Sequence, residues 1–217
     1  MNLEQETIEF LTALEKNNDR TWFLENQLWY NEAKSNLKTF GQEILDQIVK
    51  QQKWQPTTIE SCMFRINRDV RFSKDKSTYK TWFSLAFSNG GRKQGGTDYY
   101  LHIQPNGKSF LGSGMYQPTP EFLKKFRNAL LEDSEALKSI IYNTEFKKAF
   151  PQIYGKQLKT APKGIDKGHN EIELLRYNEL FFSHNFSDEQ VLSSNFTKKV
   201  VQLTQILKPY CNYLNQL

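Results

Sequence analysis

The chain has 217 residues, 38% of them hydrophobic and 14% aromatic, which is enough apolar material for a sizeable core and, by length, for one domain over residues 1–217. A formal net charge of +5 is too mild for extensive tracking of a nucleic-acid backbone, and two cysteines, Cys62 and Cys211, are too few for a disulfide framework and lack metal-site spacing, so they read as buried reduced thiols. The opening MNLEQETIEF carries acidic residues where a signal peptide needs basic ones, and no stretch approaches the roughly 20 apolar residues of a membrane span, so a cytosolic protein with no membrane partner is expected.

Ile8, Leu11 and Leu14 form a short helical stripe that Asn17 and Asn18 stop. Asp19 is placed to cap a second helical stretch, whose apolar positions run Trp22, Trp29, Ala33, Leu37, Phe40, Ile44 and Ile48, with Asn26 interrupting the same face. This predicts one long helix, or two with a break near Gly41, and a buried, hydrogen-bonded Asn26. Trp22 and Trp29 read as packing.

From residue 62 the period changes to two. CMFRINR places Cys62, Phe64 and Ile66 on one face; TWFSLAF at 81–87, TDYYLHIQ at 97–104 and KSFLGSG at 108–114 complete four predicted strands. The linkers SNGGRKQGG at 88–96 and PNG at 105–107 are short, which favours antiparallel pairing. Thr119 before Pro120 and Glu121 signals a helix carrying Phe122, Phe126, Ala129 and Leu130, and further helices are expected around 134–150 and 170–177. The last begins at Asp188, with Leu192, Phe196, Val200, Leu203 and Leu207 on one face until Pro209 disturbs it. Helices, then strands, then helices predict an α+β protein: a mainly antiparallel sheet packed by helices from both ends of the chain.

Charge is concentrated in two places. Residues 65–80 hold six basic side chains, Arg65, Arg68, Arg71, Lys74, Lys76 and Lys80, against Asp69 and Asp75; residues 156–167 hold four, among them Lys159 and Lys163, against Asp166. Asp69 is the natural partner of Arg68, and Asp75 of Arg71, Lys74 or Lys76, which describes an internally paired loop. Two carboxylates do not neutralise six cations, and the surplus suits phosphate or carboxylate recognition, for which arginine offers a planar fork and lysine a point charge.

Other chemistry is sparse. His102 shares a strand face with Tyr100 and Gln104 and is a weak catalytic candidate beside Asp69 and Tyr79; His169 and His184 read as loop residues with no metal spacing, so neither a metal nor another cofactor is expected. Ser73, Ser77, Thr78 and Cys62 lack a nucleophile elbow or a nearby histidine. GSG at 112–114 lacks dinucleotide and P-loop spacing and reads as a turn between strand and helix.

Several stretches carry a resemblance. NNDRTWFLENQLWY at 17–30, through Asn17, Asn18, Trp22, Phe23, Asn26 and Tyr30, FRINRDVRFSKDKSTYKTWF in the form R-x-x-R-D-x-R-F-S-x-D-K-x-x-Y-K, GSGMYQPTPEFL and LKTAPKG together resemble the uncharacterised bacterial family called domain of unknown function 2461, over nearly the whole chain. The departure is His169 followed by Asn170, where the family pattern has proline. The resemblance implies a single domain with a shared anion-rich or basic site and brings no activity.

Three functions fit these residues. The first is binding of a phosphorylated or otherwise anionic small molecule or nucleotide through 65–80, with Lys159 and Lys163 as further candidates. The second is an enzyme acting on such a substrate. The third is a grip on a short nucleic-acid segment, because Arg71, Phe72, Tyr79, Lys80 and Trp82 interleave charge and rings. Sequence leaves the oligomeric state open.

Overall fold

The structure is a computed structural model that describes residues 2–69, 71, 77–93 and 98–217. In chain order its elements are α1 (Gln5–Lys16), α2 (Arg20–Glu25), α3 (Gln27–Gln52), α4 (Ile59–Cys62), β1 (Phe83–Phe87), β2 (Tyr99–Ile103), β3 (Ser109–Met115), α5 (Pro120–Glu132), α6 (Ser134–Ile141), α7 (Thr144–Ala149), β4 (Ile153–Tyr154), α8 (Ile172–Leu175), β5 (Leu180–Phe186), α9 (Asp188–Leu192) and α10 (Phe196–Asn215). The class is α+β, with a five-stranded sheet in the order β1-β2-β3-β5-β4. β1 pairs with β2, and β4 with β5, antiparallel.

The chain divides into two compact units: Met1–Gly95 with Tyr99–Leu111 and Asn185–Gln202, and Gly96–Asp98 with Gly112–His184 and Leu203–Leu217. In the first, α1 packs on α3, and α3 and α4 pack on β1. Phe10 sits at the centre of its core, 5.7 Å from the Trp29 ring and 6.2 Å from those of Trp22 and Phe83, so both tryptophans are packing residues. Asn17 ends α1 by donating from Nδ2 to the Ala13 carbonyl, and the Asp19 carboxylate accepts from the Trp22 N–H to start α2.

The long helical stretch breaks at Asn26 and continues through Gly41. Asn26 has φ −104° and ψ 22° and donates from its amide to the Trp22 carbonyl, so it is bonded as expected but only half-buried. Gly41 has a different reason: a Cβ there would lie 2.7 Å from Leu85 Cδ1 and 2.9 Å from Ile59 Cδ1, so its bareness lets β1 and α4 approach α3.

Residues 62–68 are not the regular strand that alternation predicts. Cys62 ends α4, and the segment meets its neighbour at two isolated antiparallel bridges, Met63 with Leu85 and Asn67 with Tyr79. Four residues of advance on one side match six on the other, so two residues between Tyr79 and Leu85 have no opposite number and the ladder breaks at Thr81 and Trp82. Burial still alternates across Cys62, Arg65, Ile66 and Asn67, which is why the pattern looked like a strand.

In the second unit the buried rings of Phe146, Phe182 and Tyr210 meet edge to face at 4.8 Å and 5.1 Å. Thr119 caps α5 through the Phe122 N–H as the sequence predicts, whereas 134–150 forms two helices because Asn143 caps α7 afresh, and helix at 170–177 shrinks to α8. β4 and β5 were not anticipated. β5 places His184 on a strand, correcting its reading as a loop residue; His169 does lie in a loop. GSG is strand, not turn: Gly114, at φ +142°, would put a Cβ 2.5 Å from the Leu180 carbonyl oxygen. The last helical stretch divides into α9 and α10, and Pro209 lies inside α10 rather than ending it.

Candidate ligand site

The residues singled out in 65–80 have different partners. Arg71 forms a bidentate pair with Asp69, Nε to Oδ1 at 3.0 Å and Nη2 to Oδ2 at 2.7 Å, and the guanidinium holds the Asp69 carboxyl down at about 2. Arg68, expected to pair with Asp69, instead donates to the Ser77 hydroxyl, and its backbone N–H goes to the Thr78 carbonyl. The reason is local: the two-residue span from Asp69 to Arg71 closes a turn that takes up both carboxylate oxygens. Lys74, Lys76, Asp75, Phe72 and Ser73 lie outside the described residues.

Tyr79 is buried. Its ring stacks on Phe23 with centroids 3.9 Å apart, and Asn18 clamps its backbone, accepting from the Tyr79 N–H and donating to its carbonyl, both at 2.9 Å. This is a packing environment for a residue named as a proton-transfer candidate.

Lys80 belongs to another group. Its Nζ donates to the Arg65 carbonyl at 3.0 Å and lies 5.5 Å from the Phe64 ring centroid, while the Arg92 guanidinium is 4.8 Å from the same ring and its Nε donates to the Met63 carbonyl. Partial burial, then the charges of Arg65 and Arg92, lower the Lys80 pKa. Among the described residues, no carboxylate lies within ion-pair distance of Arg65, Lys80 or Arg92. Arg92 lies in the SNGGRKQGG linker, outside both runs of basic residues, and the signal for it in the sequence is a basic residue beside glycines in the connector between two predicted strands.

Phe64 leads into a set of rings. It meets Tyr100 edge to face at 5.9 Å; Tyr100 lies 6.1 Å from His102 and 5.8 Å from Phe110. Trp82, His102 and Phe110 form a stacked row, with centroids 5.4 Å and 4.8 Å apart and ring planes 28° and 15° from parallel. Alternation along β2 explains it: Tyr99, Leu101 and Ile103 are buried on the opposite face, where Tyr99 bonds Gln52 and stacks on Trp54. His102 is 9% exposed, its Nε2 2.8 Å from Gln104 Oε1 and its Nδ1 3.4 Å from the Tyr100 hydroxyl. Burial lowers its pKa, so it is a neutral ring at neutral pH.

Lys159 and Lys163 are exposed loop residues of the second unit. Beside them Lys156 has a partner, the buried Glu179, which its Nζ reaches at 3.3 Å. Both cysteines are buried and neither is in a disulfide. Among the described residues no three His, Cys, Asp or Glu side chains gather as a metal-ligand set, and no helix is long and apolar enough to cross a membrane.

The family model described as conserved hypothetical protein (DUF2461) matches residues 6–213. No curated protein and no solved structure matches the chain.

Proposed function

We propose that the chain, which belongs to the DUF2461 family, binds a phosphorylated or otherwise anionic small ligand at Arg65, Lys80 and Arg92. The observation that carries this reading is that Lys80 and Arg92 sit at the Phe64 ring, within reach of the charge of Arg65, with no described carboxylate in ion-pair distance of the three. Like charges held together repel, and the lowered Lys80 pKa registers that repulsion after the effect of burial. A dianionic phosphate relieves it. The exposed Arg65 offers a fork of N–H donors and Lys80 a mobile point charge. Arg71 stands outside this group because Asp69 holds it, and Arg68 because a guanidinium nitrogen donates to the Ser77 hydroxyl.

Titration calorimetry with pyrophosphate and ribose 5-phosphate, on wild type and on Arg65→Met, Lys80→Met and Arg92→Met, tests the reading. Each lost charge-assisted contact is expected to weaken binding by about tenfold to a hundredfold while the melting temperature holds. No heat of binding to either phosphate in wild type at low salt overturns it.

A further inference from the structure

We infer that the ligand carries a planar heterocycle as well as a phosphate, a nucleotide base that stacks on Trp82 while its phosphate meets Lys80, Arg65 and Arg92. The inference rests on the anion-binding reading above and adds the ring to it.

The starting point is the two-residue excess between the bridges of Asn67 with Tyr79 and Met63 with Leu85. A bulge re-aims side chains, and this one sets Trp82 just ahead of β1, at the margin of the sheet, two positions after Lys80. There Trp82 ends a row of rings that continues through His102 to Phe110. The spacings of about 5 Å match the distance between neighbouring strands, so the row is a stack built by the sheet itself. Each ring presents a face to the next, and Trp82, the half-buried end of the row, is the ring on which an added member would stack. Trp82 and Phe110 are half-buried, and His102, with both nitrogens near partners, serves the row as a ring rather than as an exposed acid or base.

Charge completes the selection of the occupant. An apolar platform alone suits any greasy partner, but this one adjoins two cations through Phe64, whose ring meets Tyr100 as well as Lys80 and Arg92, and the charge of Arg65 acts on Lys80. Rings beside unpaired cations are the combination by which proteins hold bases and phosphates together. The chemistry is shared by a free nucleotide and by a nucleotide within a short strand.

Calorimetry with AMP, UMP, ribose 5-phosphate and a four-uridine oligonucleotide, on wild type, Trp82→Leu and Trp82→Phe, tests the inference. Wild type is expected to bind AMP about tenfold or more tightly than ribose 5-phosphate. Trp82→Leu removes that preference and leaves ribose 5-phosphate affinity unchanged, whereas Trp82→Phe, which keeps a ring, retains most of it. A quench of tryptophan fluorescence by AMP in wild type, absent in Trp82→Phe, reads the same contact without relying on the leucine variant's fold. Oligonucleotide binding that exceeds UMP and falls more steeply with salt identifies a strand as the source; equal affinities identify the free nucleotide, and both support the inference. Ribose 5-phosphate binding as tightly as AMP overturns the inference and spares the anion reading. No binding of any of these ligands overturns both.

Discussion

Residues 65–80 and 156–167 are both runs of cations with too few acids between them, yet their side chains have different surroundings. In the first, Arg71 is locked to Asp69 and Arg68 donates to Ser77, while Lys80 joins Arg92 at an aromatic ring. In the second, Lys156 reaches a buried glutamate, and Lys159 and Lys163 stand exposed in a loop. A count of charges does not separate these cases. What separates them is what each cation meets: a carboxylate for Arg71 and Lys156, open water for Lys159 and Lys163, and an aromatic ring beside a second cation for Lys80.

The sharpest way to break the contrast is to remove what holds 65–80 in place. If packing rather than charge positions the segment, Tyr79→Ala loses the stack on Phe23 and destabilises the protein by about 3 kcal/mol in urea unfolding. A loss well under 1 kcal/mol shifts that role back to the ion pairs. The next effect compares one lysine from each segment. Lys156→Met leaves the buried Glu179 without its cation and costs about 1 kcal/mol, moderated because the lysine side chain is 73% exposed. Lys80→Met removes a partly desolvated, repelled ammonium and changes stability by less than about 0.5 kcal/mol. Equal losses in the same unfolding assay erase the distinction between the two segments.

The smallest effect is a matter of pH. Arg71 holds the Asp69 carboxyl at about 2, below its ordinary value, so the pair's contribution is fully present above the ordinary aspartate range and is lost as pH falls through about 2. Arg71→Met lets the carboxyl return toward its ordinary value, and the fall in stability between pH 5 and pH 2 becomes shallower than in wild type. Parallel acid limbs for the two proteins, followed by circular dichroism, contradict the pairing.

Much of this was legible in the sequence wherever one local rule acted alone. Asp19 and Thr119 cap helices because a short acceptor precedes an apolar run, and β1, β2 and β3 follow from two-residue alternation between Gly-rich connectors. β5 obeyed the same rule, with Leu180, Phe182 and Phe186 buried, but polar residues at 183–185 hid the alternation. At 62–68 the alternation was real and the strand was not, since a count of residues on the facing segment, two more than the ladder has room for, cannot be read from either segment alone. The candidate site follows the same division. Arg65 and Lys80 stood out by charge, whereas the contacts of Arg92 with Phe64, of Phe64 with Tyr100 and of Tyr100 with Phe110 exist only in the folded chain.

Asn18 spans the greatest consequence in the smallest contact. Its side chain bonds both the N–H and the carbonyl of Tyr79, across 61 residues of chain. The Tyr79 amide proton is therefore guarded by an amide side chain from the turn between α1 and α2, not by a neighbouring strand's carbonyl. Its rate of exchange with deuterated water follows the undocking of that turn. One backbone position thus reports whether the amino-terminal helices are seated, and it does so from the foot of the segment that carries Lys80 and Trp82.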